Sequence, residues 1–159
     1  MLSELPVEGS SVVLREAVEG DVPALVQLLA ADQLGANREG TTGDLQPYLS
    51  AFREIDADPA HLLVVADSGG EVVATMQLSV LPGLARRGAR RAQIEAVRVR
   101  EDVRSRGLGA ALFDWAIAES RRRGCALVQL TTDRSRTDAQ RFYARLGFVA
   151  SHEGLKLHL

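Results

Sequence analysis

Cysteine is almost missing from this sequence. Cys125 is the one thiol among 159 residues, so no disulfide can form within the chain, and a reducing cytoplasm is the expected setting. The histidines (His61, His152 and His158) stand far apart, no second cysteine joins them, and no zinc-ligand spacing results. A metal is therefore not expected. Aromatic residues make up only 4% and the net charge is −2, which argues against a nucleic-acid partner that would need a basic surface and rings to stack on bases. No apolar run approaches the roughly 18 residues of a membrane span. The opening "MLSELPVEGS" has neither the basic start nor the apolar centre of a secretory signal.

What is present suits one mixed α/β domain over residues 1–159. The chain is 46% hydrophobic and 25% charged, and it carries no repeats, low-complexity segments or linkers. Its charge is divided unevenly. Residues 1–85 hold 3 basic and 13 acidic side chains, residues 86–159 hold 16 and 8. A basic half can hold an anionic cofactor, and an acidic half can attract a cationic acceptor.

Periodicity gives the order of elements. "SSVVLREA" reads as a strand, followed by a helix over "EGDVPALVQLLAAD" with Asp21 as N-cap, Pro23 in its first turn and a stripe of Leu25, Leu28 and Leu29. A polar loop leads to a second helix over "LQPYLSAFREID", with Leu45, Leu49 and Phe52 on one side. "HLLVVAD" and "EVVATMQLSV" flank "SGG" as a hairpin, and "AQIEAVRV" is a further alternating strand. Leu108, Leu112, Trp115 and Ala116 mark a third helix that Gly124 ends. "ALVQLTTD" is a buried strand and "TDAQRFYARLGF" a fourth helix stopped by Gly147. "FVAS" and "LKLHL" read as a closing hairpin.

The segment "VRSRGLGAAL" (103–112) carries the chemistry. Glycines at a helix start let an anion approach unpaired backbone amides without a Cβ in the way. Arg104 and Arg106 add positive charge, so a pyrophosphate cradle is one reading; a tight strand-to-helix turn is the other. A P-loop would need a Gly-Lys-Ser/Thr ending, which is absent. A dinucleotide fold wants a third glycine where Leu112 stands, although Asp133 lies near the distance a ribose-binding acid would occupy.

Arg104-x-x-Gly107-x-Gly109 resembles the Q/R-x-x-G-x-G/A signature of the GNAT superfamily of N-acetyltransferases. "IEAVRV", the amphipathic helix, "LVQLTTD" and "DAQRFYARLGF" follow the family's order and spacing, closely over residues 92–149 and loosely over 10–159. The resemblance implies a central, mostly antiparallel sheet of six to seven strands, splayed between the fourth and fifth, with about four flanking helices. It implies acetyl-CoA as acyl donor, its pyrophosphate on the amides of Arg104, Ser105, Arg106, Gly107, Leu108, Gly109 and Ala110. Val97, Arg98 and Val99 would pair through their backbone with the pantetheine arm. Tyr143 matches the tyrosine of the family's A-x-x-F/Y-Y pattern and is the candidate general acid, with Phe142 as its core-facing neighbour. Glu95 is the candidate base, acting through a water. Arg136 stands where many relatives carry asparagine, so an amide contact with the cofactor would become a charged one.

The acceptor wall implied by the resemblance is "AADQLGANREGTTGD", with Asp32, Glu39 and Asp44, which favours a small-molecule or peptide amine. "LARRGARR" reads as a mobile solvated loop, or else as a contact to the adenosine 3′-phosphate or a partner subunit, and a homodimer is the expected assembly. Two other functions fit parts of the pattern: an acyl-CoA-binding regulator without turnover, and a nicotinamide-dinucleotide protein.

Overall fold

Which face each strand buries follows from alternation, and here alternation builds one sheet with different chemistry on its two sides. The computed structural model describes residues 1–8, 10–31 and 43–159, which fall into two compact units, Met1–Gln129 and Leu130–Leu159. Strands β1 (Ser3–Val7), β2 (Ser10–Glu16), β3 (His61–Ser68), β4 (Glu71–Leu81), β5 (Arg90–Val99) and β6 (Cys125–Leu130) lie side by side in that order. The first five are joined as antiparallel neighbours. The helices are α1 (Val22–Ala30), α2 (Gln46–Asp56), α3 (Leu108–Arg122) and, in the second unit, α4 (Thr137–Arg145).

Strand β1 lies within the acidic opening of the sequence, where no strand was expected. It is an edge strand, and Pro6 is tolerated there because an edge can lack one N–H. The β3–β4 hairpin forms at "SGG" as expected: Ser68 pairs with Glu71, and Gly69 and Gly70 take φ of +65° and +94°. A two-residue turn of this kind needs left-handed backbone at both positions, which glycine supplies without strain. Asp67 accepts a hydrogen bond from the Gly70 amide at 2.7 Å.

One face of the sheet is apolar. Val12, Leu14, Val64, Met76, Leu78 and Ile94 are all buried there by register, and α3 packs over β1, β4 and β5. In α3 the fully buried ring is Phe113, alongside Leu108, Leu112 and Ala116, while Trp115 is half-buried. The other face carries α1 and α2, whose Val22, Leu25 and Phe52 cluster on Val65 with Leu49 and Leu63 at the margin.

Asp21 does not cap α1. Its carboxylate instead accepts the Val18 amide (2.8 Å) and two bonds from the Arg15 guanidinium (2.7 and 3.0 Å), and Arg15 also reaches Asp67. An arginine presented by the neighbouring strand outcompetes the helix amides because its bonds are charge-assisted. The result ties β2, β3 and the entry to α1 together. At the far end of α3, Glu119 holds both Arg122 and Arg123, and Arg123 donates to the Pro59 carbonyl.

The expected closing hairpin is absent. Residues 148–150 and 155–159 carry no strand, and Val149, Leu155, Leu157 and Leu159 are exposed. Alternation makes a strand only where a neighbour pairs its backbone, and the second unit contributes a helix and turns rather than strands beyond Leu130.

Candidate active site

The segment after β5 turns sharply into α3. A short 3-10 turn, Glu101–Val103, leads into Ser105 at φ +63° and Gly107 at φ +84°. Gly107 occupies the N-cap position of α3, and no side chain caps that helix. The first helical bond runs from Ala111 N–H to the Gly107 carbonyl, so the amides of Leu108, Gly109 and Ala110 have no partner within the helix. The space a Cβ on Gly107 would enter is open to 4 Å. Ser105, a non-glycine residue in the left-handed region, carries backbone strain of the sort found at binding sites. The loop is anchored from two sides: Glu8 donates its amide to the Arg106 carbonyl (3.2 Å), and Arg104 Nε donates to the Val99 carbonyl (3.0 Å). Arg100, gripped by Asp102 and Glu71, holds the Asp102 carboxyl below the usual carboxylate range.

Upstream, β5 is interrupted by a bulge that the sequence reading missed. Gln77 pairs with Glu95 and Thr75 with Arg98, so Ala96 and Val97 together oppose Met76. Ala96 takes φ +53°. A bulge re-aims the residues beyond it and breaks the ladder locally, here at the first residue expected to face the donor. The Val97 carbonyl accepts Arg98 Nη1 at 2.8 Å. Glu95, one residue before the bulge, is exposed.

Beyond the α1–α2 cluster, the face that Glu95 shares turns polar. Gln77 and Ser79 on β4 stand opposite Glu95 and Gln93 on β5, and His61 on β3 stands opposite Ser79. Ser79 is buried and its Oγ lies 2.8 Å from His61 Nδ1; Gln129 Nε2 donates to Gln93 Oε1 at 2.6 Å. Thr75, deeper in, is satisfied by the Val64 carbonyl. The signal for this floor was the run Thr75, Gln77, Ser79, polar at every second position of an otherwise apolar strand.

Arg86 and Arg87 lie in the β4–β5 connection and Arg90 and Arg91 open β5, at the opposite end of that strand from the start of α3. Ten residues of strand span ~30 Å, which separates these arginines from residues 104–110. Of the expected acceptor wall, Asp32 and Glu39 lie outside the described residues; Asp44 is exposed and accepts the Gln46 amide.

In the second unit, Tyr143 is half-buried in the last turn of α4. Its carbonyl accepts the Phe148 amide (3.0 Å), Gly147 at φ +91° donates to Ala144, and the rings of Tyr143 and Phe148 meet edge-on at 6.1 Å. This is the paired-bond C-terminal motif that glycine makes possible, and it fixes the ring. Phe142 packs edge-on to Tyr143 from the other side and is itself half-buried. Arg136 sits at the N-cap of α4, its amide on the Asp133 carbonyl. The expected site residues therefore form two groups: residues 95–110 in the first unit, Arg136 and Tyr143 in the second.

Known proteins share this fold. Residues 24–148 match the acetyltransferase (GNAT) family. An aminoalkylphosphonate N-acetyltransferase of Salmonella typhimurium is 32% identical over 109 residues, 69% of this chain and 70% of that one. A crystal structure described as a transcriptional regulator from Bacillus halodurans superposes with a TM-score of 0.89 at 47% identity, covering 93% of this chain and 99% of the other. An acetyltransferase from Trypanosoma brucei superposes at 0.76 with 26% identity over 93% and 99%. With the uncapped helix start, the bulged strand and the matched 125-residue span in agreement, the chain belongs to the GNAT acetyltransferase family.

Proposed function

We propose that the protein is an acetyl-CoA-dependent N-acetyltransferase acting on a primary amine by direct attack. The observation that carries this reading is the start of α3, where a left-handed glycine and three uncapped amides directly follow Arg104 and Arg106 in sequence. Those amides and the partial positive charge of the helix suit a pyrophosphate, and Gly107 leaves room for it. The backbone of Val97, Arg98 and Val99 would hold the pantetheine arm. Acetyl-CoA, when bound, supplies an acetyl group activated as a thioester.

Each remaining role answers a chemical need. An amine with a reference pKa near ~10.4 is protonated at neutral pH and must lose that proton before it attacks. Glu95, exposed beside the bulge, would take it through a water. Tyr143 would give a proton to the departing sulfur. Arg136 would carry a charged contact to the cofactor. The relative from Salmonella supports a small amine as acceptor.

Release of free thiol from acetyl-CoA across a panel of amines tests the reading. Tyr143→Phe and Glu95→Gln should each lower kcat by roughly 10²–10⁴-fold, the range of a positioned acid or base; unchanged turnover in both would overturn the mechanism. A second reading, an acyl-CoA-binding regulator, is favoured by the description of the Bacillus halodurans relative. It predicts tight acetyl-CoA binding with no thiol release from any amine.

A further inference from the structure

Among the described residues four polar side chains are buried, and one of them is satisfied unlike the rest. Asp21 is held by Arg15, while Thr75 and Ser120 return their hydroxyls to the backbone carbonyls of Val64 and Ala116. Ser79 is bonded to a titratable ring instead, its Oγ 2.8 Å from His61 Nδ1. The other ring nitrogen, Nε2, faces Asp58 Oδ2 at 3.8 Å, and Asp58 Oδ1 is fixed by the Ala60 amide. A hydroxyl in need of a partner alone could use a carbonyl, as Thr75 does on the same strand.

The chemistry of these groups gives their hydrogen bonds a direction. An ionised carboxylate only accepts, so the imidazole keeps its proton on Nε2, toward Asp58, and leaves Nδ1 as an acceptor. Ser79 then donates to Nδ1, and its Oγ has only lone pairs to offer elsewhere. Gln77 Nε2 donates to that oxygen at the long distance of 3.5 Å. Register places this acceptor beside Glu95. Ser79 pairs with Gln93 and Gln77 with Glu95 on one face of the sheet, so Ser79 and Glu95 are diagonal cross-strand neighbours. Such neighbours lie ~7–8 Å apart, too far for a direct bond and suited to one bridging water.

We propose that His61 is a positioning residue for proton removal: by taking the Ser79 hydroxyl proton it makes Ser79 Oγ an acceptor for the water through which Glu95 works. A water that donates one hydrogen to Glu95 and the other to Ser79 has only lone pairs left for the acceptor's ammonium group. It takes that proton as it passes its own to the Glu95 carboxylate, and nothing else is consumed. This inference rests on the acetyltransferase reading, with Glu95 as base, and adds the residues that orient its water. Protonating the imidazole reverses the chain: Nδ1–H donates to Ser79, whose hydroxyl turns to the water and occupies a lone pair. Solvent reaches the ring, whose side chain is 30% exposed and lines a cavity of about 300 Å³ with Glu16, Asp56, Asp58 and Arg123. Those three acids and Arg123, itself bonded to Glu119 and the Pro59 carbonyl, are the charged groups around it, with Glu95 two strands away.

The test measures kcat, KM and the pH profile of kcat with whichever amine of the panel releases thiol fastest. It compares the wild type with His61→Asn, His61→Leu, Ser79→Ala and the double variant of the last two. His61→Leu and Ser79→Ala should each lower kcat roughly 10- to 100-fold, the scale of a misplaced reacting group, with little change in KM. The double variant should be no slower than either, because His61 acts through Ser79. His61→Asn offers an amide oxygen in place of Nδ1 and cannot titrate. It should keep kcat near the wild type and lose the acid-side fall that the wild type shows between about pH 5 and 8, where histidines titrate. Additive losses, an asparagine variant as slow as the leucine one, or wild-type kcat in His61→Leu would overturn the proposal. Ring nitrogen-15 shifts of histidine-labelled protein read the tautomer without turnover, with His61, His152 and His158 the signals to resolve. Neutral His61 should carry its proton on Nε2; a proton on Nδ1 would overturn the proposal as well. Thiol release from no amine by the wild type would instead mark the failure of the acetyltransferase reading itself, and this inference would fall with it.

Discussion

Replacing Asp21 by asparagine separates two roles that the sequence cannot distinguish. As an N-cap, asparagine is as good as aspartate, so the change would be close to neutral. In the structure the carboxylate serves Arg15 with bonds of 2.7 and 3.0 Å and the Val18 amide at 2.8 Å, with its side chain 10% exposed and that of Arg15 26%. Asparagine keeps one acceptor oxygen but loses the charge that both guanidinium bonds use. Hydrogen bonds to charged groups contribute ~1.5–3 kcal/mol, and Arg15 retains Asp67, so the loss should fall in that range rather than above it. At about 2–4 °C per kcal/mol for a chain of this size, the thermal midpoint should drop by about 3–12 °C by circular dichroism. Arg15 holds the Asp21 carboxyl below the usual carboxylate range. Its contribution is therefore fully present above the unfolded value near ~3.9 and fades as pH falls through the lower folded value. The gap between wild type and Asp21→Asn should close at that acid limit. A variant within ~0.5 kcal/mol of wild type at pH 7, near the ordinary scatter of surface changes, would refute the network.

Three more outcomes follow from burial, backbone and chemistry. Phe113→Ala removes a fully buried ring and should cost ~3–5 kcal/mol by denaturant titration, well beyond Trp115→Ala at its half-buried neighbour. Ala96→Val puts a β-branched side chain at φ +53°; it should lower stability by at least ~1 kcal/mol and reduce thiol release more than acetyl-CoA binding. Tyr143→Phe keeps the ring packing against Phe148, so it should lower kcat in steady-state assays while leaving the thermal midpoint in place.

Much of the first unit was legible because its signals are local. "SGG" between apolar runs defined the β3–β4 hairpin, Gly124 marked a helix end, and Gly107 marked the turn into α3. What escaped depends on neighbours that only the folded chain brings together. Asp21 looked like a cap because Arg15 becomes its neighbour only once β2 turns into α1. Trp115 was preferred to Phe113 because a single helix gives the stripe but not its centre, which packing against β1, β4 and β5 decides. The bulge at Ala96 left no mark, since alanine is an ordinary strand residue and the extra residue appears only against β4. "LKLHL" failed in the opposite sense: its alternation is a strand pattern, and strands require neighbours.

Titration of acetyl-CoA into the protein by calorimetry, beside the Gly107→Glu variant, addresses the central claim most directly. The variant gains a side chain at φ +84° with open space around it, at a cost of ~1–2 kcal/mol. A carboxylate at a helix start returns ~0.3–1 kcal/mol, so the variant should stay folded. Its charge and bulk would then stand where the pyrophosphate is held. The account predicts saturable binding by the wild type that Gly107→Glu abolishes with its circular dichroism intact. Equal binding by both would contradict the cradle, and no binding by the wild type would contradict the acetyltransferase function itself.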